Sequence, residues 1–342
     1  MNSTYIAQQF LFISFIAWTA NSIADGTKHI KELVANPGGG VCQESWAKRL
    51  QEESSVRLDE EFLDKDGKPI ATSEIPGGNP QPFCSASLAR VGAAKKLKIV
   101  TAAHCIEDEF YASTDGVSKP ATGADEHRPP MPPGAHSKRI VAWVGGMGPA
   151  IPIKTFRGPK LPRGEGSVES TRKDDFAILD AEGDLLEKRF AGRTTPELCA
   201  PTLSKSDVEK AAVIGFGFTN GNQPSRLPLC GQQEVKEIAN KTINIAPYRQ
   251  DFPTACPGDS GGGLWFVPKT QGAQPCLAGT VSGPREGSAS DPNKRPNTPI
   301  EHCTREGLIM TYSAVFQQQT DIDRYIAEAV NTRDRIPAEE SQ

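Results

Sequence analysis

Residues 256–267 read CPGDSGGGLWFV. A serine hydroxyl is a poor nucleophile until a base takes its proton and the developing oxyanion is stabilised. Glycine at 258 lets the turn Gly258-Asp259-Ser260 aim the N–H groups of Gly258 and Ser260 at one point, as an oxyanion hole requires. Gly261 and Gly262 keep bulk away from a substrate. The three glycines then lead into Leu264, Trp265, Phe266 and Val267, which predicts a turn running into a strand.

The surrounding chain follows the same pattern. Short apolar stretches at 86–91, 97–102, 140–144, 176–179, 212–218, 263–267 and 277–282 are rich in Val, Ile, Phe or Trp and are separated by turns, as strands are. Glycine at 32 positions and proline at 28 supply those turns. Long amphipathic helical patterns are scarce before the C-terminus. Residues 316–330 place Phe316, Ile322, Tyr325, Ile326, Ala329 and Val330 near helical spacing, predicting a docked terminal helix. The balance predicts an all-β fold. The polar, Gly/Pro-rich stretches 113–134 and 283–305 read as surface loops, and 181–201 as a link between two halves.

Two further segments carry chemistry. In IVTAAHC, residues 99–105, an apolar strand ends in small residues, then His104, then a cysteine able to pin the turn. The other histidines, 29, 127, 136 and 302, have no such setting. In DDFAIL, residues 174–179, an acid stands directly before a strand that reads as buried. Drawn inward, it can hydrogen-bond an imidazole and fix its tautomer. By charge alone, Asp174 and Asp175 are both candidates.

TAAHC, DFAIL and GDSGG, in that order, resemble the three active-site signatures of the chymotrypsin-like serine peptidases. The resemblance runs from about residue 83 to 330, with lesser matches at FCSASL (83–88), GFG (215–217) and GTVS (279–282). It implies two six-stranded antiparallel β-barrels packed side by side, with a C-terminal α-helix. It further implies an endopeptidase with Ser260 as nucleophile, His104 as general base and Asp175 as orienting acid. The N–H groups of Gly258 and Ser260 form the oxyanion hole, and Asp259 pairs with a new N-terminal amine after zymogen cleavage. Thr254, Ser282 and Gly283 contact the substrate. The pattern implies disulfides Cys84–Cys105 and Cys256–Cys303; for the other four cysteines, Cys42–Cys199 with Cys230–Cys276 is a starting guess by elimination only.

Departures from the family bear on specificity and activation. Thr254 stands at the expected pocket floor, where no carboxylate is present to favour Arg or Lys. Met310 falls where a glycine often opens the pocket. No Ile-Val-Gly-Gly start occurs, and Arg57–Leu58 is the basic cleavage site nearest the expected new N-terminus. Asn240-Lys241-Thr242 is a glycosylation acceptor in a eukaryotic host.

Two rival readings stand beside this one. GDSGG also satisfies the G-x-S-x-G elbow of α/β-hydrolases, with Asp291 and His302 following the serine; that elbow must open a helix. A homologue that has lost catalysis and acts as a binding or regulatory protein is the other, although no triad residue is replaced.

The apolar run FLFISFIAWTA at 10–20, followed by Ser22-x-Ala24, reads as a signal peptide over residues 1–24. Residues 25–80, polar and Gly-rich, read as a pro-segment or N-terminal extension, leaving 81–342 as the peptidase domain. Eight cysteines, an even number, suit disulfides in an exported chain, extracellular or periplasmic. No CxxC or HxxxH spacing favours a metal, and no cofactor is implied. A net charge of −4 with interspersed signs argues against nucleic acid and, after signal removal, against a membrane surface. The expected partners are protein or peptide substrates and a protein inhibitor.

Overall fold

The computed structural model of the chain describes residues 42, 44–75, 78–106, 117–118, 132–159, 172–181, 183–217, 225–247, 254–284 and 307–333. The signal segment 1–24 lies outside them, as do Cys303 and most of the two long loops. No helix of the described residues is long and apolar enough to cross a membrane.

The described residues are mostly β, in two antiparallel sheets. The first holds β1 (Ser55–Leu63), β2 (Gln81–Val91), β3 (Lys96–Thr101), β4 (Val117–Ser118), β5 (Ser137–Val144), β6 (Ile151–Arg157) and β7 (Ala177–Ala181). Their order is β1-β2-β3-β7-β6-β5-β4, and β1 pairs with β5 as well, from Val56 opposite Val144 to Leu63 opposite Ser137. That extra ladder joins β1, β2, β3, β7, β6 and β5 in a ring, with the two-residue β4 appended. Closing a sheet leaves no unpaired edge. Alternate residues such as Leu97 and Ile99, or Ile140 and Ala142, fill one buried cluster with Val56, Leu58, Leu88 and Leu179.

The second sheet holds β8 (Val208–Gly215), β9 (Leu229–Gln233), β10 (Val235–Ala239), β11 (Thr242–Ile245), β12 (Gly263–Pro268), β13 (Cys276–Pro284) and β14 (Met310–Ser313), in the order β10-β11-β14-β13-β12-β8-β9. The expectation of two closed six-stranded barrels is corrected here. This sheet has seven strands, and no ladder joins its ends, β9 and β10. Those ends are consecutive in the chain, separated by Glu234 alone, so covalent continuity rather than a ladder brings the sheet round. The turn between β10 and β11 uses Asn240 and Lys241, both with positive φ (52° and 61°), the conformation a two-residue hairpin demands.

Among the described residues, three α-helices accompany the sheets: α1 (Ser45–Glu53), α2 (Leu185–Arg189) and α3 (Gln319–Arg333). A third buried cluster lies between the sheets. It joins Ala89, Val100, Phe176 and Ile178 to Ala212, Ile214, Trp265 and Leu277, with Ile322 of α3. Full burial of such large side chains contributes about 1.5–3 kcal/mol each. The terminal helix is therefore part of the junction, and the Tyr325 ring meets Phe176 edge-on at 6.3 Å.

The boundary expected at residue 81 moves. α1 and β1 belong to the body, and β1 is a central strand of the ring. Its charges disguise it: Asp59 is fully buried, and both its oxygens accept from Arg57 (Nε and Nη2, each 2.8 Å), whose guanidinium lies over Trp143. Burial pushes the Asp59 carboxyl up, and the Arg57 guanidinium opposes that. Leu58 is fully buried and paired on both sides, opposite Cys84 and Ala142. Cleavage at Arg57–Leu58, the expected activation site, would cut a strand in the middle of the ring.

The disulfide guess is corrected as well. Cys84–Cys105 is present, but the other pairs are Cys42–Cys230 and Cys199–Cys276. The cause is the path of the linker. Residues 197–199 lie along β13, with Leu277 N–H donating to Glu197 O and Cys199 N–H to Leu277 O (2.9 and 3.0 Å), which sets Cys199 beside Cys276. Meanwhile α1 packs near β8 and β9, where Gln51 donates to Pro228 O, and carries Cys42 to Cys230. Cys256 is disulfide-bonded too.

Candidate active site

His104 and Asp175 come together because their strands are neighbours. Thr101 at the end of β3 pairs with Ala177 at the start of β7, so residues just beyond those ends arrive side by side. His104 sits in a short 3₁₀ turn, Ala103–Cys105, held by the Cys84–Cys105 bridge. Asp175 is buried and engaged on all sides. Its Oδ1 accepts from the His104 backbone N–H at 2.9 Å, and its Oδ2 lies 2.7 Å from His104 Nδ1. The Ser282 hydroxyl donates to the same Oδ2 at 2.6 Å, and Thr280 Oγ1 donates to the Asp175 carbonyl at 3.1 Å. A carboxylate so placed holds the ring proton on Nδ1 and leaves Nε2 as the basic nitrogen. Between the two acids the geometry distinguishes plainly: Asp175, not Asp174, meets the imidazole.

Ser260 belongs to the second sheet's side of the molecule but is tied to the first. The Ser85 N–H of β2 donates to Ser260 O at 2.8 Å. Gly261 has φ +77°, and a Cβ on it would lie 2.0 Å from Thr101 Oγ1 and 2.8 Å from the Ala102 nitrogen. Only glycine lets the serine turn lie against the strand end that leads to His104. The serine turn thus lies against the strand end that leads to His104; the Ser260 hydroxyl makes no hydrogen bond among the described residues.

The amides of the turn divide sharply. Asp259 N–H donates to Cys256 O, Gly261 N–H to Val281 O and Gly262 N–H to Asp259 O, at 2.9, 2.9 and 2.7 Å. The two amides with no acceptor among the described residues are those of Gly258 and Ser260, the pair assigned to the oxyanion hole. Gly258 holds φ +87°, a value that favours glycine.

Asp259 is turned inward. Its Oδ1 accepts from Gly217 N–H at 2.7 Å and its Oδ2 from Cys256 N–H at 2.8 Å. Burial pushes its carboxyl up to about 6 against the pull of those two N–H groups. The fit is close, since a Cβ on Gly217 would lie 2.2 Å from Asp259 Oδ2. These backbone N–H groups are the partners of its carboxylate among the described residues.

Of the residues assigned to substrate contact, Ser282 is drawn into the Asp175 network. Thr254 is half-buried, with a hydroxyl that has no partner among the described residues. Gly283 has φ +141° and open space where a Cβ would stand. Met310 pairs with Pro284 across β13 and β14. The elbow reading fails: Gly263–Pro268 is a strand, antiparallel to both β8 and β13, not a helix. Its partners Asp291 and His302 lie outside the described residues.

Sequence reasoning gave no role to Ser85 or Thr280. A serine inside a strand carries no local sign that its hydroxyl will find partners 131 and 173 residues away. Compared with models of known protein families and with curated proteins, the chain matches none.

Proposed function

We propose that the chain is a serine endopeptidase of the chymotrypsin-like type, hydrolysing peptide bonds through an acyl-enzyme. The observation that carries this reading is the grip of Asp175 on His104, formed where the Ser260 turn is pinned to the same strand end. Ser260 attacks the scissile carbonyl as His104 Nε2 takes its proton, and the imidazolium then protonates the leaving amine. Asp175 stabilises that imidazolium without itself changing charge. The N–H groups of Gly258 and Ser260 receive the oxyanion. Water then releases the acyl group by the same route. On this reading the open second sheet is the counterpart of a second barrel, residues 1–24 direct export, and Thr254 and Gly283 border the substrate. Protein or peptide chains are the substrates, and a protein inhibitor is a further partner. No activation cleavage falls at Arg57–Leu58.

A fluorophosphonate probe, which reacts only with an activated serine, tests the proposal. Wild type is labelled; Ser260→Ala and His104→Ala are not; His302→Ala is. The reading of a non-catalytic binding or regulatory protein draws on one observation, the Ser260 hydroxyl left outside the hydrogen-bond network. Absence of labelling in the folded wild type selects that reading instead.

A further inference from the structure

Ser85 is fully buried in β2 and makes hydrogen bonds with the serine turn, with the strand end that leads to His104 and with Phe216 just beyond β8. Its N–H donates to Ser260 O at 2.8 Å, and its carbonyl accepts from Thr101 Oγ1 at 2.7 Å, two residues before Ala103 opens the His104 turn. Its hydroxyl donates to Gly258 O at 2.7 Å and accepts from Phe216 N–H at 2.8 Å. A serine hydroxyl has one proton to donate, so that proton is wholly engaged by the Gly258 carbonyl.

The chemistry of the turn gives this bond its meaning. Gly258 is in a backbone conformation with φ +87°, and a glycine there has wide rotational freedom. Rotation of the Gly258–Asp259 peptide would redirect the chain on both sides and pull the Gly258 and Ser260 amides off a common point. The Asp259 N–H of that peptide is held by Cys256 O, and the Ser85 bond to its carbonyl fixes the other end, so the plane is held at both ends. Strand β2 is a rigid anchor for it, paired with β1 on one side and β3 on the other.

We propose that Ser85 is a positioning residue for the oxyanion-binding turn: its hydroxyl, fixed in the first sheet, sets the orientation of the Gly258 peptide so that the Gly258 and Ser260 amides converge. It touches no substrate and acts through those two amides. The inference rests on the peptidase reading above and adds to it a contact that crosses between the sheets.

Ser85→Ala and Ser85→Gly both retain the N–H to Ser260 O and lose the hydroxyl. In each, kcat is expected to fall on the order of 10- to 100-fold, short of the 10²–10³ that follows loss of an oxyanion donor itself. KM stays within about threefold, and affinity for a peptide boronate, which mimics the tetrahedral state, falls in parallel with kcat. Assays are run well below each variant's unfolding midpoint, and kcat is counted per fluorophosphonate-reactive site. Hydrogen exchange at the Phe216 amide, expected to be faster in both variants, reports the lost hydroxyl whether or not catalysis occurs. Wild-type kcat and boronate affinity per reactive site, with only the midpoint lowered, would show Ser85 to be merely structural and overturn the inference. An unlabelled wild type would instead bring down the peptidase reading, and this inference with it.

Discussion

Ser282 Oγ lies 2.6 Å from Asp175 Oδ2, the oxygen that faces His104 Nδ1 at 2.7 Å. One carboxylate oxygen thus receives a donor from each sheet, because Ser282 stands on β13 of the second and His104 follows β3 of the first. The carboxylate is buried, so these charge-assisted bonds act with little screening. Removing the hydroxyl in Ser282→Ala is expected to lower kcat about tenfold, the lower end of what a hydrogen bond to a charged group contributes. Steady-state kinetics with the fold checked by circular dichroism measure it; an unchanged kcat would mean that the bond does not orient the carboxylate.

Asp175→Asn keeps the shape of the side chain but offers a donor or a neutral acceptor to His104 Nδ1. The ring then favours the wrong tautomer, and kcat is expected to fall on the order of 10⁴-fold. Asp174→Asn, whose side chain is outside this network, is expected to leave kcat within about threefold. Turnover of the two variants on one peptide substrate compares them directly, and a reversed order would reassign the orienting acid.

Arg57 and Asp59 form a bidentate pair with the carboxylate wholly buried. Arg57→Ala strands that charge, and loss of one partner of a buried pair costs about 3–5 kcal/mol. Urea unfolding followed by fluorescence reads this as a lowered midpoint. N-terminal sequencing of the mature protein is the companion measurement: Leu58 is not expected as the first residue.

Asp259 titrates with a folded pKa near 6, above its ordinary value of 3.8. The folded state therefore binds this proton more tightly than the unfolded chain does. Its contribution to stability is fully present below about pH 3.8 and is lost as the pH rises through about 6, with a slope of up to about 1.4 kcal/mol per pH unit. Asp259→Asn cannot titrate there. The stability of wild type relative to this variant is expected to fall between pH 4 and pH 7.5, measured by chemical denaturation at each pH. A difference that stays flat would place the carboxyl's titration elsewhere.

Peptide mapping without reduction is expected to recover Cys42 linked to Cys230 and Cys199 linked to Cys276. Replacing Cys42 and Cys230 together by serine removes a bridge that closes 188 residues of chain and ties the segment before α1 to β9. A loss of about 2–5 kcal/mol is expected from equilibrium unfolding.

Much of the site could be read in advance because its parts are local. A strand ending in small residues before His104, an acid before Phe176 and a glycine turn around Ser260 are each determined within a few residues. Each of the seven apolar stretches predicted as strands overlaps a strand, since burial of side chains on a pleated sheet favours runs of Val, Ile, Phe and Trp. β1 stayed hidden because Glu60 breaks the two-residue period of a strand and β1 is rich in charge. Its charges find partners in the fold: Arg57 and Asp59 pair with each other, and Lys138 and Arg139 on β5 meet Glu60 and Glu61. The β10–β11 hairpin stayed hidden because Asn240-Lys241 is a weaker turn signal than Asn-Gly.

What no stretch of sequence could carry is the meeting of distant segments. The partners of Cys42 and Cys199, the open edge between β9 and β10, and the four bonds of Ser85 each depend on which strand lies next to which. Those neighbours are chosen by burial summed over two sheets and the layer between them, a non-directional force that leaves no local mark. Residue types and spacing supplied the chemical groups; packing of the whole chain brought Asp175 to His104 and Ser85 to the serine turn.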